Sequence, residues 1–226
     1  MAMQGRDELR LGGEAVLYGA GGQARELRYE LEREGARVCA FVDDLAPGRV
    51  VDGVPVLAFA DAAARFGGCD WFVAIGEISV RQRLADRLRA AGLPLGRFVS
   101  ATAHMLASAR VGVGVQVFHG AVLSAAVRLG DFGLVNFGCV LSHDVEIGAF
   151  ATICPGAHVA GHVRVGEGVW IGVGASVRNG SPGRPLTIGD GAFIAAGACV
   201  VGEVPAGAIM AGVPARPFPS AQREEQ

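Results

Sequence analysis

Between Val111 and Val177 every sixth residue is aliphatic: Val111, Val117, Leu123, Leu129, Val135, Leu141, Ile147, Ile153, Val159, Val165, Ile171 and Val177. The residue four places after each is small or valine, from Val115 and Ala121 through to Ala175 and Ser181. A helix of 3.6 residues per turn cannot keep a six-residue period on one face, and an unbroken strand would alternate every two. The pattern therefore predicts short strands joined by tight turns, a hexapeptide repeat. Glycine follows the aliphatic position at Gly112, Gly130, Gly148 and Gly166. That longer period gives three flat faces per coil, a parallel β-helix. The aliphatic leads point inward and stack coil on coil, and small residues fit the corners. The register breaks after Val177, where the segment from Asn179 to Leu186 intervenes before Ile188, Ile194 and Val200 resume it. An insertion in a solenoid loops outward, so this one is expected to be exposed.

The first half of the chain has a different rhythm. It predicts a strand over Ala15–Tyr18, a glycine-rich turn over Gly19–Ala24, and an amphipathic helix over Arg25–Glu34. A strand over Arg37–Val42, ending in Asp43 and Asp44, follows. Val54–Val56, a helix over Ala58–Phe66, a strand over Trp71–Ile75 and a helix over Val80–Ala91 complete the unit. Strands alternating with helices indicate a Rossmann-like βαβ domain with a parallel sheet. Only about four parallel strands fit, half of a dinucleotide fold, so a mononucleotide-linked ligand suits it better than NAD. Phe98–Val99 reads as a last strand, and the boundary is placed near Ser100. The division is then 1–100 for the nucleotide-binding domain and 101–226 for the β-helix.

Composition narrows the class. A length of 226 residues with 51% apolar residues is enough for two cores. The 35 glycines, which elsewhere would suggest low complexity, largely serve the coil turns. A net charge of −2 argues against a nucleic-acid partner. No apolar run reaches the length of a membrane span, and the opening Met1–Glu8 is too charged for a signal peptide, so a cytoplasmic protein is expected. Five scattered cysteines, Cys39, Cys69, Cys139, Cys154 and Cys199, show no metal-type spacing and read as small buried hydrophobes.

Two constellations carry chemistry. Gly19, Gly21 and Ala24 form a G-x-G-x-x-A motif between strand and helix, with Asp43 and Asp44 at the end of the next strand. Such glycines let backbone approach a phosphate at a helix N-terminus, and the acids can accept hydrogen bonds from a ribose or base. A tight structural turn would leave the same glycine pattern; the strand, helix, strand and acid around it favour a nucleotide. In the coils, His143 lies two places after the lead Leu141, is followed by Asp144, and has Asn136 upstream. A neutral imidazole can take a proton from an attacking amine or hydroxyl while an adjacent carboxylate orients it. Alone, a His-Asp pair is more often surface decoration. His104, His119, His158 and His162 read as structural, surface or interface residues. Arg178, Arg184 and Arg216 are either solvated or turned towards anionic groups.

In order along the chain, Tyr18-Gly-Ala-Gly-Gly, Phe41-Val-Asp-Asp44, Val73-Ala-Ile-Gly76, Leu141-Ser-His-Asp144 and Gly212-Val-Pro-Ala-Arg216 together resemble the bacterial sugar acetyltransferases of the PglD/NeuD type, hexapeptide-repeat acyltransferases. The resemblance covers nearly the whole chain. It implies a left-handed β-helix, a homotrimer with active sites at subunit boundaries, and acetyl-CoA as co-substrate without a metal. It further implies His143 as general base supported by Asp144. A nucleotide-linked sugar would lie on Gly21, Gly22, Gln23, Asp43, Asp44 and Gly76, with Asn136 reaching the sugar. The coenzyme would run past Thr152, Gly161, Val173 and Ala196, with the arginines available to its phosphates. The acceptor would be the amine of a UDP-, GDP- or dTDP-linked sugar or, in a second branch, the hydroxyl of a sialic or related nonulosonic acid. A non-catalytic module binding nucleotide sugars is the reading from another class. Three positions depart from the family: Gln23 and Thr152 stand where histidine is frequent, and Glu77 stands where asparagine is common. Glu77 is expected to put a negative charge near the nucleotide. A γ-class carbonic anhydrase, also a hexapeptide β-helix, needs three zinc-binding histidines from neighbouring coils. Ala125 and Gly161 flank His143 one coil either side, so that set is missing.

Overall fold

The structure, a computed structural model, describes residues 13–218. The charged opening segment Met1–Glu8 and the polar tail from Pro219 lie outside the described residues.

The chain opens with β1 (Glu14–Tyr18), α1 (Gly22–Arg33), β2 (Arg37–Val42), β3 (Val50–Val51), β4 (Val54–Leu57), α2 (Phe59–Phe66), β5 (Asp70–Val73) and α3 (Ile78–Ala90). The sheet order is β3-β4-β2-β1-β5, parallel except for β3, which pairs antiparallel with β4. The chain builds outward from β1 on one side and then crosses to place β5 on the other, which opens a crevice at the carboxyl ends of β1 and β5. Ala24, Leu27 and Leu31 of α1 pack with Ala15 and Leu17 on one face. Ala62 of α2 and Ala85 and Leu88 of α3 pack with Val16, Tyr18 and Trp71 on the other. This follows from the alternation of side chains along a strand buried on both faces. Helix α1 begins three residues before the expected Arg25, because apolar periodicity starts only at Ala24 and cannot report the uncapped turn before it. Helix α3 begins at Ile78 because Glu77 caps it.

From Phe98 the chain winds into the β-helix. Phe98–Val99 is a strand, but it pairs with Gln116–Val117 and so begins the coil rather than ending the α/β sheet. Three sheets form the prism, parallel except where Arg216–Pro217 pairs antiparallel with Ile209–Ala211 at the end of the first. The first sheet runs through Gln116–Val117, Leu134–Val135, Thr152–Ile153, Trp170–Ile171 and Phe193–Ile194; the second contains Val122–Leu123 and Val140–Leu141; the third contains Arg128–Leu129 and Glu146–Ile147. All twelve aliphatic leads are buried in one continuous core. Each corner is a column of backbone hydrogen bonds. His119, Phe137, Pro155 and Val173 carbonyls form one column, Ala125, His143 and Gly161 the second, and Val113, Asp131, Ala149 and Glu167 the third. Gly148 shows why some corners need glycine: a Cβ there would lie 2.5 Å from the Gly166 carbonyl carbon of the next coil. The inserted segment is exposed from Arg178 to Arg184 except at Gly180, and Leu186–Ile188 then pairs with Val163–Val165.

The α/β unit covers the first sheet. Phe118 and Leu134 join the α1 side of its core, while Val113, Phe132 and Phe150 join the α3 side. Arg81 crosses the junction at 2% exposure, donating to the carbonyls of Ile75, Gly76 and Phe150 and to Thr152 Oγ1. Burial pushes this guanidinium down to about 10, and the charge of Glu77 opposes the shift.

Candidate active site

Glycines and an uncapped helix start line the mouth of the crevice. Gly19 has φ +126°, and a Cβ there would meet the Ala74 carbonyl oxygen at 2.5 Å, so only glycine lets β1 turn beside β5. Gly21 and Gly22 have open space where a side chain would stand. The N-terminus of α1 has no side-chain cap and no acid in its first turn, leaving its backbone N–H groups and positive dipole end for a ligand. Helix α3 contrasts with it. Glu77 accepts from the backbone N–H groups of Ser79 and Val80 and from the Ser79 hydroxyl. Burial pushes the Glu77 carboxyl up, but these bonds outweigh it and hold the group below its usual range. The negative charge expected at Glu77 is thus held against the N-terminus of its own helix.

Gln23 donates to Gln116 Oε1, and Gln116 donates to the Val73 carbonyl, so the residue that replaces a histidine ties the glycine-rich turn to the coil. Asp43 accepts from Leu45 N and Arg49, and Asp44 from the Tyr18 hydroxyl, Phe59 N and Arg87. Burial pushes the Asp44 carboxyl up, but its three donors together hold it low. Both acids line the end of β2, already engaged with cations. Gly76 closes the other side, its carbonyl held by Arg81.

His143 and Asp144 stand on the second corner. Asp144 Oδ2 lies 2.9 Å from His143 Nδ1. With Nδ1 donating there, Nε2 is left as the proton acceptor of the ring. Asp144 has φ 58°, a left-handed corner conformation that turns its carboxylate back onto the imidazole. The ring lies against the next coil at Gly161, where a Cβ would come within 2.6 Å of His143 Cε1 and 2.7 Å of Nε2. Gly161 is thus the seat of the ring, a role that spacing alone did not show.

Not every expected residue gathers here. Asn136 sits beside the first corner, 7% exposed, its amide donating to the Ile153 carbonyl. Val173 is exposed in that first corner column, and Ala196 is exposed one coil on. Thr152 is 1% exposed beneath α3 with its hydroxyl on Arg81, so its side chain faces no open groove. Arg178 and Arg184 share a cleft with Asn179, Ser181 and Glu203, and Arg216 lines the adjoining one. Four cysteines are buried and Cys199 is half-buried.

The residue that sequence reasoning missed is His162. It lies eighteen positions after Asp144, hence directly over it, and its Nδ1 is 3.7 Å from Asp144 Oδ2. The coil period held this signal, which appears when the count starts at Asp144 rather than at His143. His143, Asp144 and His162 place ligand-type atoms within 4.8 Å of one another, as do Glu14, Cys39 and Cys69 at the opposite end of the α/β sheet. The first group is two histidines and a carboxylate, not the three histidines of the carbonic anhydrase pattern.

Residues 14–88 match the PglD N-terminal domain family. WeeI from Acinetobacter baumannii AYE is 29% identical, with a TM-score of 0.86 over 91% of this chain and 100% of that one. A histidine-to-asparagine variant of perosamine N-acetyltransferase from Caulobacter crescentus, solved with CoA and GDP-perosamine, is 35% identical. Its TM-score is 0.84 over 94% of this chain and 100% of its own. The acetyltransferase domain of PglB from Neisseria gonorrhoeae FA1090, in complex with acetyl coenzyme A, is 32% identical, with a TM-score of 0.82 over 91% and 98% of the two chains. No curated protein sequence matches the chain.

Proposed function

The chain belongs to the PglD-type sugar acetyltransferases of the hexapeptide-repeat superfamily, and from that membership we propose that it moves an acetyl group from acetyl-CoA to the amine of a nucleotide-linked amino sugar. The observation that carries this is the His143–Asp144 pair, oriented at 2.9 Å and seated on Gly161. The sugar nitrogen attacks the thioester carbonyl carbon as His143 Nε2 takes its proton. The carbon–sulfur bond breaks, and the proton passes to the departing thiolate. Asp144 stabilises the imidazolium formed in between. Holding both substrates in attack geometry supplies much of the acceleration.

The diphosphate is assigned to the open N-terminus of α1 at Gly21 and Gly22, with Gln23, Asp43, Asp44 and Gly76 around the nucleotide. Gly161, Val173 and Ala196 are assigned to the coenzyme groove and Asn136 to the sugar side; Thr152, buried beneath α3 and bonded through its N–H to the Val169 carbonyl, is withdrawn from the groove. A homotrimer is proposed on topology. The nucleotide crevice lies over the first sheet, whereas His143 is on the corner joining the second and third sheets, the edge opposite. The prism separates the two within one chain, and Val173 and Ala196 line yet another corner. A neighbouring copy that sets its first corner beside the second corner of this one brings all three together. The cytoplasm is the proposed location, since acetyl-CoA and nucleotide-linked sugars are available there. Among the described residues no helix is long and apolar enough to cross a membrane.

The test is release of CoA thiol from acetyl-CoA with UDP-, GDP- and dTDP-linked 4-amino sugars beside free and CMP-linked sialic acid. Turnover with an amino sugar, reduced by at least about a hundredfold in His143→Ala, is the expected result. Turnover only with sialic acid would move the activity to hydroxyl acetylation. Nucleotide-sugar binding with no turnover on any acceptor would favour a binding module.

A further inference from the structure

His162 occupies the corner position one coil beyond Asp144, with φ 55° and its backbone N–H on the His143 carbonyl. Its ring meets that of His143 edge-on, centroids 5.0 Å apart at 81°. Its Nδ1 faces the same Oδ2 atom of Asp144 that His143 Nδ1 faces, at 3.7 Å against 2.9 Å. Its side chain is 25% exposed, where His143 and Asp144 are 56% and 49% exposed. His162 is therefore the most sheltered of the three. Among the described residues Asp144 is its ionic partner.

Asp144 needs such a neighbour. A half-exposed carboxylate on a short stem can rotate to water, and an imidazole that loses its carboxylate can flip and turn Nε2 away from the acceptor. Resting on the reading of His143 as base, we propose that His162 is a positioning residue for acetyl transfer, holding the Asp144 carboxylate against Nδ1 of His143. At 3.7 Å the contact is electrostatic rather than a hydrogen bond. It shortens when bound substrates exclude water, as catalytic hydrogen bonds do on passing from free enzyme to complex. Because Nδ1 is the nitrogen that faces Asp144, an asparagine amide can take its place and a glutamine amide, one methylene further out, cannot.

The experiment measures kcat and KM for both substrates in the full-length protein, with His143→Ala, His162→Ala, His162→Asn and His162→Gln beside wild type, and records the thermal midpoint of each. The expected result is a kcat about tenfold lower in His162→Ala and His162→Gln with both KM values unchanged, and recovery to within about twofold in His162→Asn. Wild-type kcat in His162→Ala, with His143→Ala inactive, overturns the inference and leaves the general base standing. A kcat that falls together with the thermal midpoint and is not restored by asparagine shows a packing role and also overturns it. Activity surviving in His143→Ala removes the underlying reading and the inference with it.

Discussion

At the scale of single residues the site depends as much on missing atoms as on present ones. His143 and Asp144 are the proposed catalytic pair, but Gly161 decides where the imidazole can lie. Gly161→Ala places a methyl 2.6 Å from Cε1 of the ring, so the ring must move by several tenths of an ångström. The expected outcome is a kcat at least about tenfold lower, since small misplacements of a catalytic group are costly. The thermal midpoint should fall less than in a coil-core variant such as Ile153→Ala, which removes a buried lead at a cost of about 2–5 kcal/mol. Kinetics and melting of the two variants side by side check this. His143 with Asp144 was legible in the sequence as a pair of residue types; the seat on Gly161 and the approach of His162 were not. Both arise from stacking of adjacent coils, which brings together side chains eighteen or nineteen residues apart.

At the scale of elements, two helix N-termini at neighbouring positions have been given different tasks. The N-terminus of α1 is open, and that of α3 is closed by Glu77. Glu77→Gln keeps the shape and removes the charge, and is expected to destabilise the protein by about 1 kcal/mol at neutral pH. The folded-state carboxyl is held low, so its contribution is present above the ordinary carboxylate range and is lost as pH falls through the lowered value. The gap in thermal midpoint between wild type and Glu77→Gln should therefore close on acidification, and a gap that widens would exclude the cap as its source. Coils obey a similar local rule. Gly148→Ala would press on Gly166 and Glu167 of the next coil and should cost about 1–3 kcal/mol, read as a lower midpoint in denaturant. The sequence placed nearly every element here, because a six-residue period and strand-helix alternation are both written in local hydrophobic order. It missed the hairpin strand β3, whose Val50 and Val51 are two residues long and carry no period.

At the scale of the whole molecule, the separation of crevice and base leads to the sharpest test of assembly. A chain carrying His143→Ala and a chain whose crevice is blocked by Gly22→Asp, where an acid at the mouth of α1 repels a phosphate, should each be inactive. Co-expressed so that mixed trimers form, they should regain activity, because one chain supplies the crevice and the other supplies His143. A mixture that stays inactive while sedimenting as a mixed trimer would mean that both groups serve from the same chain. The sequence by itself determined the repeat, its left-handed β-helix by family resemblance, the nucleotide-type unit before it and the residue types of the site. Those properties follow from short-range order, in which period, turn residues and composition fix the local structure. Only the tertiary structure decided that Glu77 serves its own helix, that Thr152 lies under Arg81, that His162 stands over Asp144, and that His143 is on the edge opposite the crevice. Each of these depends on which coil and which face a residue reaches, and that is set by the accumulated winding of the chain and by the docking of one domain on the other.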